Sequence, residues 1–485
     1  MKRIRQKNLR CRAAAMVLLA FTLFLAGCGK ETSGSEETLA ESTAESMEQT
    51  ASTEQTVTAE PTVSADTEES DTPDPSEDTP GRFQYNEKLF ALGLPVVTEE
   101  QAKADGKTVL TLQASLVNPW LKDSIAGFNR QSADYFVRLE ETYEDGVKDR
   151  VAAEIVAGRG PDILTGSVLE ISESVLKKEV LVDLAPGLDA MGITDEEYFP
   201  GVRALPMGDK VYGIRTYLTP HGYWIRESVL GGRELPDIAT LVEKLYTYPD
   251  QEAVWRTNAR SVRILEYLLC GSEDLWGMID WEKGTCDFSG ELFAKMLEIA
   301  KRYADPERRT EETEDKWMVS FYSPVSNTPR RQLEKEGKVI INYPFDNGYY
   351  PAYESISEVL MMNANSEHQE GVWAFFEYVL GEEGQCYAAG NSYLAVNREM
   401  SKSCMEYYLR GLEEGWFKTT AEFTPETIEE LYAFTEQARP LPLRTKEVLE
   451  IIYEESETFW AGDKPLEEVC DVIQKRVQIY ISENM

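Results

Sequence analysis

Over residues 108–167, segments with the apolar pattern of β-strands alternate with segments in which apolar residues recur at helical spacing. The segments TVLTLQA, DYFVRLEETY and GPDILTGS are short, apolar runs typical of β-strands. Two segments whose apolar residues have helical spacing lie between them, and Gly158 follows the second as a helix stop signal. Strands alternating with helices of this length predict a parallel sheet with a ligand site at the carboxyl ends of its strands. The helical stripes are Leu121, Ile125 and Phe128, then Val147, Val151 and Ile155.

Farther along, the pattern predicts two strands and an aromatic-rich turn among several helices. Residues 210–229 read as two strands separated by a bend with Pro and Gly. Val339 to Ile341 form a third strand that runs into the turn NYPFDNGYY, whereas the charged residues 306–316 predict an exposed loop. Helices are predicted in LPDIATLVEKLYTYP, VRILEYLLCG, ELFAKMLEIAKRYA, VWAFFEYVLGEEGQ and LEEVCDVIQKRVQIY.

The N-terminus has the order of a signal peptide. A basic run and thirteen mostly apolar residues, too short for a membrane span, precede Leu25-Ala26-Gly27-Cys28. LAGC resembles the lipobox of bacterial lipoproteins, which implies removal of residues 1–27 and lipidation of Cys28. The alternative is an ordinary secretory signal in which Cys28 falls by chance. Residues 31–80 hold fifteen acidic and no basic or aromatic residues, so residues 28–81 are expected to form a disordered tether.

Charge and cysteine usage exclude several kinds of partner. Loss of six basic side chains with residues 1–27 takes the net charge from −37 to −43. Such a surface repels phosphate backbones, so no nucleic-acid partner is expected. No cysteine or histidine spacing indicates a metal site. Five cysteines remain besides Cys11 and Cys28, an odd count in which Cys270 and Cys286 are a candidate pair: Cys270, Cys286, Cys386, Cys404 and Cys470.

Two motifs carry a family resemblance. AGRGPDIL (157–164), followed about fifty residues later by KVYGI (210–214), is similar to the extracellular solute-binding proteins of ABC importers. The most similar branch includes the maltose-binding and multiple-sugar-binding proteins. The likeness covers residues 107–230 and 336–400, and more loosely 440–485.

The resemblance implies an α/β protein with a two-lobed periplasmic-binding-protein-like fold, a hinge and an interlobe cleft. A carbohydrate would be trapped in the cleft and delivered to ABC permease subunits, with no cofactor. We expect a monomer on the bacterial cell surface, facing outside the cytoplasm and held to the membrane only through its lipid. Within the domain 82–485, lobe 1 is expected at about 107–216 and 355–390, and lobe 2 at about 217–354 and 391–485.

Sugars stack their apolar ring faces on aromatic side chains, while charged and amide groups receive their hydroxyls. By the resemblance, INYPFD falls where maltose-binding proteins have an N-G-P-aromatic turn against the sugar, so Phe345 is the leading candidate. The family usually has proline after YGI, whereas this chain has Arg215, expected to face the cleft or to pair with a surface acid. The remaining candidates lie in loops: Asp162, Ser167, Tyr217, His221, Tyr343, Asp346, Asn347, Tyr349 and Tyr350.

Structural roles compete with these assignments. Asp162 can simply hold the following turn, and Tyr217 and Tyr343 can be core residues. The doublet Tyr349-Tyr350 is similar to the paired tyrosines of ferric-ion-binding relatives, but no His or carboxylate partner stands at a recognisable spacing. An extracellular glycosidase would need only two carboxylates, although HExxH, GxSxG and P-loop motifs are absent. An orphan solute binder used for sensing is the third alternative.

Overall fold

The computed structural model describes residues 96–115, 117, 119–249, 253–256, 260–304, 317–322, 330–353, 355–385, 394–414 and 424–484. The predicted signal peptide, Cys28, the tether and the charged loop 306–316 lie outside these ranges. No helix within them is long and apolar enough to cross a membrane.

In the first half of the described chain, strands and helices alternate up to residue 176, as the periodicity predicts, and four strands follow in succession over residues 203–226. In chain order its elements are α1 (Glu99–Ala104), β1 (Thr108–Ala114), α2 (Pro119–Gln131), β2 (Tyr135–Glu141), α3 (Val147–Val156), β3 (Ile163–Thr165), α4 (Glu173–Leu176), α5 (Ala185–Ala190), β4 (Arg203–Met207), β5 (Lys210–Ile214), β6 (Tyr217–Leu218), β7 (Gly222–Arg226), α6 (Glu227–Leu230) and α7 (Ile238–Thr247). Gly158, just beyond α3, has φ +73°, the left-handed conformation that ends helices.

The second half is richer in helix. Its elements are β8 (Val254–Arg256), α8 (Ser261–Leu269), β9 (Ile279–Asp280), β10 (Thr285–Cys286), α9 (Glu291–Tyr303), β11 (Trp317–Tyr322), α10 (Arg330–Lys335), β12 (Lys338–Ile340), β13 (Tyr343–Phe345), β14 (Gly348–Tyr350), β15 (Ala352–Tyr353), β16 (Leu360–Met362), α11 (Gln369–Leu380), β17 (Leu394–Ala395), α12 (Arg398–Glu413), α13 (Pro425–Gln437), β18 (Arg439–Pro440), α14 (Lys446–Ala461) and α15 (Leu466–Asn484).

The first lobe is built on a six-stranded sheet of order β2-β1-β3-β16-β5-β4. β1 runs parallel to β2 and β3, as predicted, whereas β16 enters antiparallel between β3 and β5. Successive strand residues face opposite sides, so Ile163 and Leu164 belong to two separate apolar cores, one on each face.

The second lobe contains a four-stranded sheet of order β12-β7-β11-β8. Its core combines β7 with α7, α8 and α9, and the C-terminal helices α14 and α15 complete it. The apolar stripe predicted for α15 is buried in that core through Val469, Ile473 and Val477.

Three segments cross between the lobes side by side. His221 bonds through its backbone to Ala352 in both directions, and Ala352 pairs in turn with Arg439 of β18. The chain between the second and third crossings packs against the first lobe, because Leu394, Val396 and Leu431 are buried in one of its cores. The sequence-based assignment of residues 391–485 to lobe 2 is therefore wrong for Leu394, Val396 and Leu431. Only a buried core, and not local periodicity, reveals which lobe such a segment joins.

The candidate disulfide is absent. Cys270 and Cys286 each carry a reduced thiol, as does Cys470. The sulfur of Cys286 lies instead against the side chain of Gln474 on α15, at 3.3 Å from Nε2. Cys386 lies outside the described residues, as does the side chain of Cys404.

Candidate ligand site between the lobes

A cavity of about 940 Å³ opens between the two lobes, at the upper end of the range for small-molecule sites. The first lobe contributes residues from α4, β4 and the end of β5, and the second contributes α8, the β13–β14 turn and α14. Four predicted residues lie in its wall: Arg215, Phe345, Asp346 and Asn347.

The aromatic turn is a hairpin held against α8. β13 and β14 pair antiparallel with Phe345 opposite Gly348, so Asp346 and Asn347 form the two-residue turn. Asp346 Oδ2 accepts from the backbone N–H of Glu273 at 3.1 Å. Gly271, just after α8, packs so tightly that a Cβ there would lie 1.9 Å from the carbonyl oxygen of Pro344. The close approach at Gly271 fixes the half-buried ring of Phe345 at the cavity.

The half-buried guanidinium of Arg439 covers this hairpin. It lies 3.3 Å from the centroid of the Tyr350 ring and 5.9 Å from that of Phe345. Its Nη1 donates to Asn347 Oδ1 at 2.9 Å. Because Arg439 belongs to the third lobe crossing, it connects the crossing to the aromatic turn.

Arg215 forms the opposite part of the wall. Its side chain is 7% exposed, and Nη1 donates one long bond of 3.4 Å to the carbonyl of Gly201. The guanidinium lies 4.8 Å from the centroid of the Tyr353 ring, which also lines the cavity. Burial lowers the pKa of Arg215 to about 10, so it remains a cation at neutral pH. The alternative pairing of Arg215 with a surface acid is not found among the described residues.

Asp162 and Ser167 hold the sheet together. Asp162 precedes β3 and therefore lies at its amino end, where Oδ2 accepts from the backbone and hydroxyl of Thr111 and Oδ1 accepts from Ser366. Ser167, beyond β3, accepts at 2.8 Å from the backbone N–H of Ser115. Neither residue lines the cavity. The contacts of Asp162 are structural, as its alternative role predicts, but they reach β1 and Ser366 rather than the following turn.

Five other candidates, Tyr350 among them, lie outside the cavity wall. Tyr217 packs edge-on against Trp120 in a first-lobe core, and Tyr343 is 1% exposed in the second-lobe core. His221 packs against Phe321 at the first crossing, with ring centroids 4.4 Å apart and ring planes tilted by 50°. Tyr349 donates its hydroxyl hydrogen to the carbonyl of Pro236.

The tyrosine doublet does not form a paired ligand set. Tyr349 and Tyr350 are neighbours in one strand, so their side chains point to opposite faces. The hydroxyl of Tyr350 donates at 3.5 Å to the carbonyl of Asn347, far from the partner of Tyr349. In the part of the chain that the structure describes, no three His, Cys, Asp or Glu side chains are grouped to hold a metal ion.

Sequence reasoning missed several cavity residues. Tyr353 and Arg439 come from the second and third crossings, and Glu273 follows α8. The segment ARPLPLR, which carries Arg439, has neither helical nor strand periodicity. Its density of proline and arginine was the only available signal.

No family model and no curated protein sequence matches the chain. Among solved structures, the sugar-binding protein MalE from Xanthomonas citri is similar with a TM-score of 0.50 and 14% identity, over 78% of this chain and 98% of that one. An ABC transporter solute-binding protein from Thermotoga lettingae bound with α-D-tagatose has a TM-score of 0.49 and 13% identity, over 77% and 100%. MalE from Bdellovibrio bacteriovorus bound to maltotriose has a TM-score of 0.49 and 11% identity, over 77% and 100%. The overlay with the first of these, together with the two sheets and three crossings, shows that the chain has the two-lobed α/β fold of periplasmic solute-binding proteins.

Proposed function

We propose that the chain is the solute-binding component of an ABC importer and captures a carbohydrate between its lobes. The observation that carries this proposal is the cavity itself, which both lobes line beside three adjacent crossings. Phe345 offers a ring face for stacking, and Asp346, Asn347 and Arg215 offer hydrogen-bonding groups.

The three crossings would serve as the hinge when the lobes close on the solute. A ligand held by both lobes makes more contacts when the lobes are close, so it shifts the population toward the closed form. The closed form would then dock on permease subunits in the membrane. The N-terminal sequence supports attachment of the mature chain to the outer side of that membrane through lipid on Cys28.

Calorimetric titration with mono- and oligosaccharides, amino acids and peptides tests the proposal. We expect one saccharide class to bind, and Phe345→Ala to weaken it roughly fivefold, because a lost aromatic contact costs about 1 kcal/mol. Tyr143→Ala is the matched control, since Tyr143 is a 66% exposed aromatic residue outside the cavity. Binding of another solute class alone would retain the binding role and reject the sugar.

Analysis of the saccharide after the same titration distinguishes a binding protein from an enzyme. Glu273 and Asp346 both line the cavity, so release of reducing sugar from the bound saccharide would favour a glycosidase. We expect the saccharide to be recovered unchanged. Stimulation of the ATPase activity of a permease encoded beside this chain would support import over sensing.

A further inference from the structure

Arg215 is a buried cation to which the described part of the chain offers no carboxylate. A guanidinium has five N–H donors, and here the described protein groups accept one long bond, from Nη1 to Gly201. The ring of Tyr353 covers one face. Taking a cation out of water costs several kcal/mol unless a partner compensates. A group supplied by the solute would provide that compensation, because Arg215 lines the cavity.

The acidic groups of the cavity lie elsewhere. Glu173 and Glu266 already pair with Lys177 and Arg263. The remaining carboxylates, those of Glu273, Asp346 and Glu450, are exposed, whereas Arg215 is buried. Solvent screens exposed charges more strongly than buried ones. The most deeply buried charge of the wall is therefore the cation of Arg215, even though the whole chain carries a net charge of −37.

Arg439 adds a second cation on the wall. It is half-buried, stacks on Tyr350 and donates to a neutral amide oxygen. In the ranges that the structure covers, no carboxylate pairs with it. Lys446, the other cation that is partly buried there, already pairs with Glu170. A third guanidinium of the wall, that of Arg444, is exposed and lies over the ring of Trp281. The two guanidinium groups that are at least half-buried, Arg215 and Arg439, come from different crossings and face one cavity.

We propose that the solute is an acidic saccharide, whose negatively charged substituent is received by Arg215 while a sugar ring lies at Phe345. This inference rests on the proposed carbohydrate-binding function and narrows its substrate class. The planar guanidinium fork matches a carboxylate in a bidentate arrangement. A sulfate or phosphate ester would present the same charge, and the titration below distinguishes these sources.

The test titrates the purified full-length chain with oligogalacturonate, its methyl ester, a sulfated oligosaccharide and neutral maltotriose. We expect one charged saccharide to bind roughly ten- to a hundredfold more tightly than its neutral counterpart, because a hydrogen bond to a charged group is lost with the charge. Arg215→Gln should abolish that preference. Preference for the carboxylate or for the sulfate identifies the substituent.

Two further measurements separate recognition from a structural role. Arg215→Gln should leave the melting temperature of the unliganded chain unchanged or raise it, because it removes an uncompensated buried charge. A fall in melting temperature together with unchanged preference for charge would overturn the inference. Arg150→Gln is the control, since Arg150 forms an exposed pair with Glu154 within one helix. Tighter binding of the neutral saccharide would reject the acidic solute but keep the carbohydrate, whereas no saccharide binding at all would reject the proposed function too.

Discussion

At the scale of single residues, burial keeps the imidazole of His221 neutral. The ring packs against Phe321, and burial lowers the pKa of His221 to about 4. In the unfolded chain a histidine titrates near pH 6.5. Between these values the unfolded state binds more protons than the folded state. The stability that neutral His221 allows is therefore complete above about pH 6.5 and is lost as the pH falls toward 4.

The low pKa of His221 predicts that stability depends more strongly on pH in the wild type than in His221→Gln. Between pH 7 and pH 5 the unfolding free energy of the wild type should fall by about 2 kcal/mol more than that of His221→Gln. Urea denaturation of both proteins at pH 5, 6 and 7 measures how the unfolding free energy changes with pH. An equal change in the two proteins would show that His221 titrates normally in the folded chain. Carboxylates contribute equally to both proteins, so the comparison cancels them.

At the scale of elements, one glycine sets the distance between α8 and the aromatic hairpin. A Cβ at Gly271 would come within 1.9 Å of a backbone oxygen of Pro344, which cannot rotate away. We expect Gly271→Ala to lower the unfolding free energy by about 1–3 kcal/mol, the usual cost of overpacking. Because the displaced hairpin carries Phe345, solute affinity should fall as well.

Gly290→Ala provides the control for this prediction. Gly290 precedes α9 in an extended conformation, and a Cβ there meets nothing within 4 Å. The two variants should therefore differ in unfolding free energy, measured by chemical denaturation, and in solute affinity, measured by calorimetry. If Gly271→Ala behaved like Gly290→Ala, the contact between α8 and β13 would not position the hairpin.

The elements that sequence predicts well are those with a strong local period. The parallel strands β1 to β3 and helices such as α9 follow from their spacing of apolar residues. β16 was not predicted, because its place between β3 and β5 depends on pairing with residues about 150–200 positions earlier. The candidate Asp162 failed to reach the cavity for a simpler reason. It precedes β3, whereas sites form beyond the carboxyl ends of strands.

The cavity was only partly predictable. The family resemblance pointed to Phe345 and Arg215, and both lie in its wall. Tyr353 and Arg439 depend on how three distant crossings lie beside one another. Local sequence carries no signal of that arrangement.

At the scale of the whole molecule, α4 and the residues just before it contact the start of α14 and so join the lobes beside the cavity. Glu170 pairs with Lys446, and the hydroxyl of Ser174 donates to Glu447 at 2.7 Å. Burial lowers the pKa of Lys446. Since Glu170 does not line the cavity, its removal changes the lobe contact without removing a solute contact.

Glu170→Gln should therefore favour separation of the lobes. Labels at the exposed positions Val156 and Ile479, one on each lobe, report the distance by pulsed electron paramagnetic resonance. We expect longer distances in the unliganded variant and a roughly twofold weaker affinity for a neutral saccharide, because partly exposed ion pairs contribute about 0.5 kcal/mol. A neutral saccharide is the probe because the substitution also releases Lys446, a cation of the cavity wall. Glu243→Gln breaks a pair with Lys295 inside the second lobe and should change neither measurement. Equal distance distributions in all three proteins would mean that the Glu170–Lys446 pair does not influence closure, and the bound solute alone would then draw the lobes together.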